Sequence, residues 1–163
     1  MHKIDDFEFI PDVFDCMRRF QKTGFSIVII TNQAGIGRGY YTEKEFWYLC
    51  EWMKVQFANS NVFIDGVYFC PHHPTHGIGA YNTECNCRKP KPGMILRAQK
   101  ELFLNLSESI LIGDKVSDIH AGKNAGVGRS YLVETGHKLS IADKKNADGT
   151  YATLSELCEA VLD

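Results

Sequence analysis

Apolar residues along this chain fall into two kinds of run. Four runs are short and nearly continuous: Ser26–Thr31, Phe63–Phe69, Ser109–Gly113 and Arg129–Val133, each rich in Val, Ile, Phe or Tyr. Apolar stretches of that length without alternation predict parallel strands covered on both faces. Between them the spacing lengthens to a helical period. Val13, Phe14, Met17 and Phe20 share one face of a predicted Val13–Lys22 helix, with Gly24 as its stop signal. Thr42 followed by Glu45 is a capping box opening a helix through Phe57, whose apolar face is Phe46, Leu49 and Trp52 with Met53. Trp52 is expected in the core and Trp47 at its rim. Pro92-Gly93 precedes a helix from Met94 to Leu104, Asp118 to Ala125 makes a shorter one ending at Gly126, and Thr153–Leu162 closes the chain.

Strands alternating with helices predict an α/β fold, a Rossmann-like open parallel sheet with right-handed crossovers. The 163 residues read as a single domain, 1–163, with no repeat or linker. In such sheets ligands bind beyond the carboxyl ends of the strands, so the segments that follow the strands carry the functional information.

The first strand run leads into Thr31-Asn32-Gln33-Ala34 and then Gly35, Gly37 and Gly39. A hydroxyl, two amides and glycine-freed backbone N–H groups can receive an anion, although Asn and Gln also serve as ordinary turn residues. The third run leads into Gly113-Asp114-Lys115-Val116-Ser117-Asp118. An acid at the end of a buried strand suits a divalent cation such as Mg²⁺, which takes one or two carboxylates and fills its shell with water and phosphate oxygens. Asp114 is the expected ligand. Asp118 is expected to N-cap the following helix and to support the site from behind.

The second run leads into the most specific pattern. Cys70-x-His72 and, twelve residues further, Cys85-x-Cys87 supply three thiolates and an imidazole, a sufficient set for tetrahedral Zn²⁺. Four protein ligands leave no open position, so the predicted zinc is structural and stiffens a long polar loop. The competing reading is a Cys85–Cys87 redox pair or reduced surface thiols. His73 and His76 are expected to stand outside the metal site, and Arg88 and Lys89 to be cations that the loop holds ready for phosphate. The remaining cysteines, Cys16, Cys50 and Cys158, lie in apolar helical stretches as small hydrophobes. His120 and His137 read as surface residues, and Asp5, Asp6 and Glu8 as a solvated acidic loop.

Composition narrows the class further. Hydrophobic residues make up 44% and charged residues 23%, which argues against disorder. A formal net charge of -2 gives no electrostatic reason to expect nucleic acid or a membrane surface. Apolar runs such as Ile27 to Ile30 are far too short for a membrane span, and Met1 opens no secretion signal, so a cytosolic monomer is expected.

Together these residues resemble the haloacid-dehalogenase-like phosphatases: Thr31-Asn32-Gln33 after a strand, Lys89 before Pro90, and Gly113-Asp114-x-x-x-Asp118. The zinc loop followed by Cys87-Arg88-Lys89-Pro90-Lys91-Pro92-Gly93-Met94 is similar to that of the D-glycero-D-manno-heptose 1,7-bisphosphate phosphatases, cytosolic bacterial enzymes that prepare heptose for lipopolysaccharide and other surface glycans. The resemblance runs from about Ile4 to the end. The phosphatase domain of bifunctional histidine-pathway enzymes shares the zinc loop, which leaves histidinol phosphate as an alternative substrate. By matching positions, the resemblance implies that Thr31 and Lys89 hold the transferring phosphoryl group. It further implies that Asn32, Gln33, Ala34, Arg88 and Lys115 contact a sugar-phosphate substrate, and that Asp114 binds Mg²⁺. Cys70, His72, Cys85 and Cys87 would hold zinc.

One departure qualifies these matches. The family's chemistry starts from an Asp-x-Asp-Gly motif at the end of a central first strand, where one Asp attacks phosphorus and the other is general acid and base. This sequence contains no Asp-x-Asp pair, and Asp5 and Asp6 are adjacent. The resemblance thus implies a sheet whose first central strand is missing, from a reading that starts at an internal Met or from a truncated relative. It also implies negligible turnover by these 163 residues alone. The rival reading is a non-catalytic, zinc-stabilised phosphate-binding remnant.

Overall fold

A computed structural model describes residues 9–10, 12–134 and 139–162; Asp5, Asp6, Glu8 and His137 lie outside them. The helical period of the amino-terminal segment becomes α1 (Val13–Lys22), and β1 (Ile27–Asn32), a one-turn α2 (Ala34–Gly37), α3 (Glu43–Asn59) and β2 (Ile64–Cys70) follow. After the long polar loop come α4 (Gly93–Leu102), β3 (Ile110–Gly113), α5 (Val116–Ala125), β4 (Arg129–Val133), a short α6 (Ile141–Lys144), β5 (Gly149–Tyr151) and α7 (Leu154–Leu162). All four predicted strands and all five predicted helices are present. The Thr42–Glu45 capping box forms in both directions at the start of α3.

Three boundaries move for local reasons. Helix α4 stops at Leu102 rather than Leu104, because Phe103 turns into the left-handed region at φ 56°. The Gly35–Gly39 stretch, expected as a loop, winds one helical turn first. Helix α5 begins two residues before Asp118, so Asp118 is not its N-cap. It is the third helical residue, and its carboxylate reaches back to accept from the backbone N–H groups of Asp114 (3.2 Å) and Lys115 (3.1 Å). A fifth strand, β5, pairs in parallel with β4. Its three residues are too few for a periodic signal in the sequence.

All strand pairs are parallel, but they form two separate ladders. β1 pairs with β2, and β3-β4-β5 form the other set. One core nevertheless spans them: Phe20 and Ile27 pack in a common cluster with Tyr131, Val133 and Leu157. Cys16 and Cys158 are buried in that cluster and Cys50 in another, as small hydrophobes. Burial pushes the Cys16 thiol up to about 12 and that of Cys50 to about 11, so neither ionises near neutral pH.

Between the ladders lies a cavity of about 660 Å³, walled by β1, β3 and α4 residues that include Val28, Ile30, Ile95, Leu102 and Ile112. Among the described residues no strand bridges β1 to β3. β1 is only half-buried along most of its length. Trp47 sits at the rim, more than a third exposed, while Trp52 stacks on Phe9 against the main core. His120 is exposed. None of the described helices is long and apolar enough to cross a membrane.

Candidate active site and metal centre

Two parallel strand ends and one loop build the site. Thr31 at the end of β1, Gly113 and Asp114 at the end of β3, and Lys89 and Asp118 line a common cavity of about 350 Å³. Its only carboxylates among the described residues are Asp114 and Asp118. This cavity adjoins the one between the ladders, since Ile29, Ile30, Leu111 and Ile112 line both.

Asp118 organises the pocket. One of its oxygens takes the Asp114 and Lys115 amides, and the other pairs with Lys89 Nζ at 2.5 Å. The two side chains are 8% and 14% exposed, so their attraction is little screened by solvent. Gly113 makes this possible: a Cβ there would stand 2.4 Å from the Asp118 Cβ and 2.5 Å from its carboxylate. Lys89 has three N–H donors and spends one on Asp118, leaving others for a ligand.

Asn32 ties the Lys89 loop to β1. Its Oδ1 accepts from the Lys89 backbone N–H at 3.0 Å, and its Nδ2 donates to the Lys89 carbonyl at 3.5 Å. Gln33 bridges Tyr41 and Thr31. Tyr41 Oη donates to Gln33 Oε1, and Gln33 Nε2 donates to Thr31 Oγ1 at 2.9 Å. With that lone pair filled, the Thr31 proton has its own neighbour, the Asn32 carbonyl, as an acceptor at 3.4 Å, a long contact. A phosphoryl oxygen in the cavity is a better acceptor. Burial raises the Tyr41 phenol above its ordinary value, which keeps the donor protonated.

Ala34 starts α2 and Lys115 is exposed at the start of α5; neither lines the cavity, nor do Asn32, Gln33 and Arg88. Arg88 has a buried Nη1 without a hydrogen-bond partner. A buried cationic donor left unsatisfied is costly, and an anion would satisfy it. The charges of Arg88 and Arg38 both act on His73, which burial and these cations hold below its usual value. The exposed Arg38 stacks on Tyr40 at 5.2 Å. Arg38 and Tyr41 were not among the residues expected from sequence. The aromatic pair Tyr40-Tyr41 immediately before the Thr42 cap is the signal that could have found them.

The long loop brings Cys70, His72, Cys85 and Cys87 together, with all four ligand atoms within 4.8 Å of one another. Sulfur separations run from 3.1 Å (Cys70 to Cys87) to 3.5 Å (Cys70 to Cys85), and His72 Nδ1 is 3.4 Å from Cys87 Sγ. A tetrahedral ion with bonds of about 2.3 Å needs edges of about 3.8 Å, so a small expansion of the cluster admits a metal. None of the six cysteines is in a disulfide. His73 stays outside, its Nδ1 accepting from the Thr75 and His76 amides. Helix α2 leans on this loop so closely that a Cβ at Gly37 would stand 2.3 Å from the Pro71 carbonyl oxygen. Helix α2 thus links the Cys/His loop to the Thr31 segment.

The chain is similar in sequence and fold to known proteins. Residues 86–160 match a HAD-hydrolase-like family model. The chain is 42% identical over 161 residues, 99% of its length and 86% of the relative's, to the D-glycero-beta-D-manno-heptose-1,7-bisphosphate 7-phosphatase of Yersinia pestis. It is 46% identical over 140 residues, 86% of its length and 75% of the relative's, to the protein of that name from Vibrio cholerae. The crystal structure of D,D-heptose 1,7-bisphosphate phosphatase from B. bronchiseptica with magnesium and phosphate superposes with a TM-score of 0.83 at 26% identity. That match covers 99% of this chain and 87% of the other. The corresponding phosphatase from Burkholderia thailandensis shares the fold, with a TM-score of 0.70 at 23% identity over 98% of this chain and 89% of the other.

The buried pair gives a direct stability test. Asp118→Ala strands the Lys89 charge and should cost about 3–5 kcal/mol in urea unfolding, whereas the double change Lys89→Met with Asp118→Leu should cost markedly less. Equal losses would mean that the pair is solvated and does not organise the pocket.

Proposed function

This chain belongs to the D-glycero-beta-D-manno-heptose-1,7-bisphosphate 7-phosphatase family of haloacid-dehalogenase-like hydrolases, and on that premise we propose that its cavity grips the 7-phosphate of the heptose bisphosphate for in-line phosphoryl transfer. The observation that carries this reading is the gathering of Thr31, Lys89 and Asp114 around one cavity at the carboxyl ends of β1 and β3. Phosphoryl transfer asks a protein chiefly for positioning and charge neutralisation. Thr31 donates its hydroxyl proton to a phosphoryl oxygen, oriented by Gln33 and Tyr41. Lys89, steadied by Asp118, donates to a second oxygen. Asp114 is the carboxylate that would hold Mg²⁺, which when bound neutralises phosphate charge. Arg88, with Arg38 beyond it, takes the second phosphate of the sugar, and Lys115 borders the entrance.

The thiolate-rich donor set at Cys70, His72, Cys85 and Cys87 favours zinc, in a structural role that leaves no coordination position open. A reducing cytosol keeps those thiols free, and we place the protein there as a monomer. Among the described residues the cavity supplies no carboxylate free to attack phosphorus: Asp118 is engaged on both oxygens, and Asp114 is assigned to the metal.

Two outcomes follow. In calorimetric titration, the 163-residue polypeptide should bind heptose bisphosphate in a Mg²⁺-dependent manner with negligible phosphate release. Lys89→Ala should weaken binding by about 10- to 100-fold and Tyr41→Phe by about 3- to 10-fold. Robust turnover, or unchanged affinity in both variants, would contradict the assignment. Elemental analysis should find one zinc per chain, lost in Cys85→Ser but retained in Cys50→Ser. Stripping it should lower the unfolding temperature by about 10 °C, since several kcal/mol are lost at about 2–4 °C per kcal/mol. A zinc-free chain of unchanged thermal stability would contradict the structural role.

A further inference from the structure

We propose that Asn124, an exposed residue near the end of α5, is a positioning residue for phosphate binding. It holds the Lys89–Pro90 segment against α5 and so sets where the Lys89 ammonium meets a phosphoryl group. The proposal rests on Lys89 being a phosphate donor of the cavity. Asn124 Nδ2 donates to the Pro90 carbonyl at 3.0 Å, between residues 34 apart in the chain. A carbonyl can only accept, so the orientation of the amide follows from its partner. Pro90 has no N–H of its own with which to anchor the segment.

The ordinary reason for an asparagine at that place does not apply. Asn is a weak helix former, favoured at helix ends because its side chain can serve the backbone there. Yet α5 is closed by Gly126 at φ 90°, whose N–H returns to the Gly122 and Lys123 carbonyls, and the Asn124 amide crosses to the loop instead. Helix α5 thereby grips Lys89 at both ends. Asp118, near the start of the helix, takes the Lys89 Nζ at 2.5 Å. Asn124, about 9 Å further along the axis, takes the carbonyl of the residue after Lys89. Between these grips Asn32 on β1 accepts from the Lys89 backbone N–H at 3.0 Å. The other Asn32 bond, to the Lys89 carbonyl, is long at 3.5 Å, so the carboxyl side of the segment depends on Asn124. Tying both ends of one side chain to a single helix leaves its ammonium little room to swing.

Calorimetric titration of the intact 163-residue chain with heptose bisphosphate and Mg²⁺ tests this in four variants. Asn124→Ala should weaken binding about 3- to 10-fold, the worth of one hydrogen bond, and speed exchange of the Lys89 amide by about the same factor. Its unfolding temperature should move by less than about 3 °C, because Ala is the better helix former. Asn124→Asp, of the same shape but without the N–H donor, should bind no better than Asn124→Ala. In the double variant Lys89→Ala with Asn124→Ala, the second change should cost no affinity beyond Lys89→Ala alone, since Asn124 acts through Lys89. A merely structural role would cost the same in both backgrounds. Full affinity in Asn124→Ala, full affinity in Asn124→Asp, or an undiminished loss in the Lys89→Ala background would overturn the proposal and leave the phosphate reading standing. A Lys89→Ala chain that binds as tightly as the unaltered one would overturn both, so the two failures are distinct.

Discussion

The carboxylate of Asp118 is the constraint on which the pocket depends. It is buried, and a buried charge persists only where each of its oxygens is answered. The answers come from three places in the chain: the Lys89 ammonium on the metal loop and the backbone amides of Asp114 and Lys115 after β3. Satisfying one residue therefore fixes the distance between the loop cation and the acidic strand end. Gly113 permits this only because it lacks a Cβ. The position of Thr31 follows from the same economy, since Asn32 beside it clamps the backbone of Lys89.

The rest of the molecule supports that arrangement unevenly. On one side the Cys70, His72, Cys85 and Cys87 side chains gather from a loop that has little secondary structure of its own, and α2 packs against it. On the other side the sheet is divided. Two ladders share a core through α1, α7 and the inner faces of β1 and β4, yet no strand among the described residues joins their facing edges across a cavity of about 660 Å³. Apolar side chains such as Ile30 and Ile112 line that cavity and lack packing partners on that side among the described residues.

The sequence was most legible where one residue type has one physical use. Thiolates and an imidazole at Cys70-x-His72 and Cys85-x-Cys87 have few other reasons to be so close, and they converge. The apolar runs predicted the four longer strands because buried parallel strands leave no alternation to misread. The fifth, Gly149–Tyr151, has only three residues, too few for any period to show. Asp118 was placed at the helix cap because an acid before a helical run usually caps it; the helix starts earlier because that carboxylate serves as well from its third position. Arg38 and Tyr41 were missed because their roles arise from contacts that spacing does not encode, a guanidinium on the Tyr40 ring and a phenol on the Gln33 amide.

The most direct measurement is a crystal structure of the chain grown with Mg²⁺ and inorganic phosphate. The account predicts a phosphate in the cavity at the ends of β1 and β3, hydrogen-bonded to Thr31 Oγ1 and Lys89 Nζ, with Mg²⁺ between it and Asp114. A phosphate seated only on Arg38 and Arg88, with Thr31 and Lys89 empty-handed and no ion on Asp114, would contradict it.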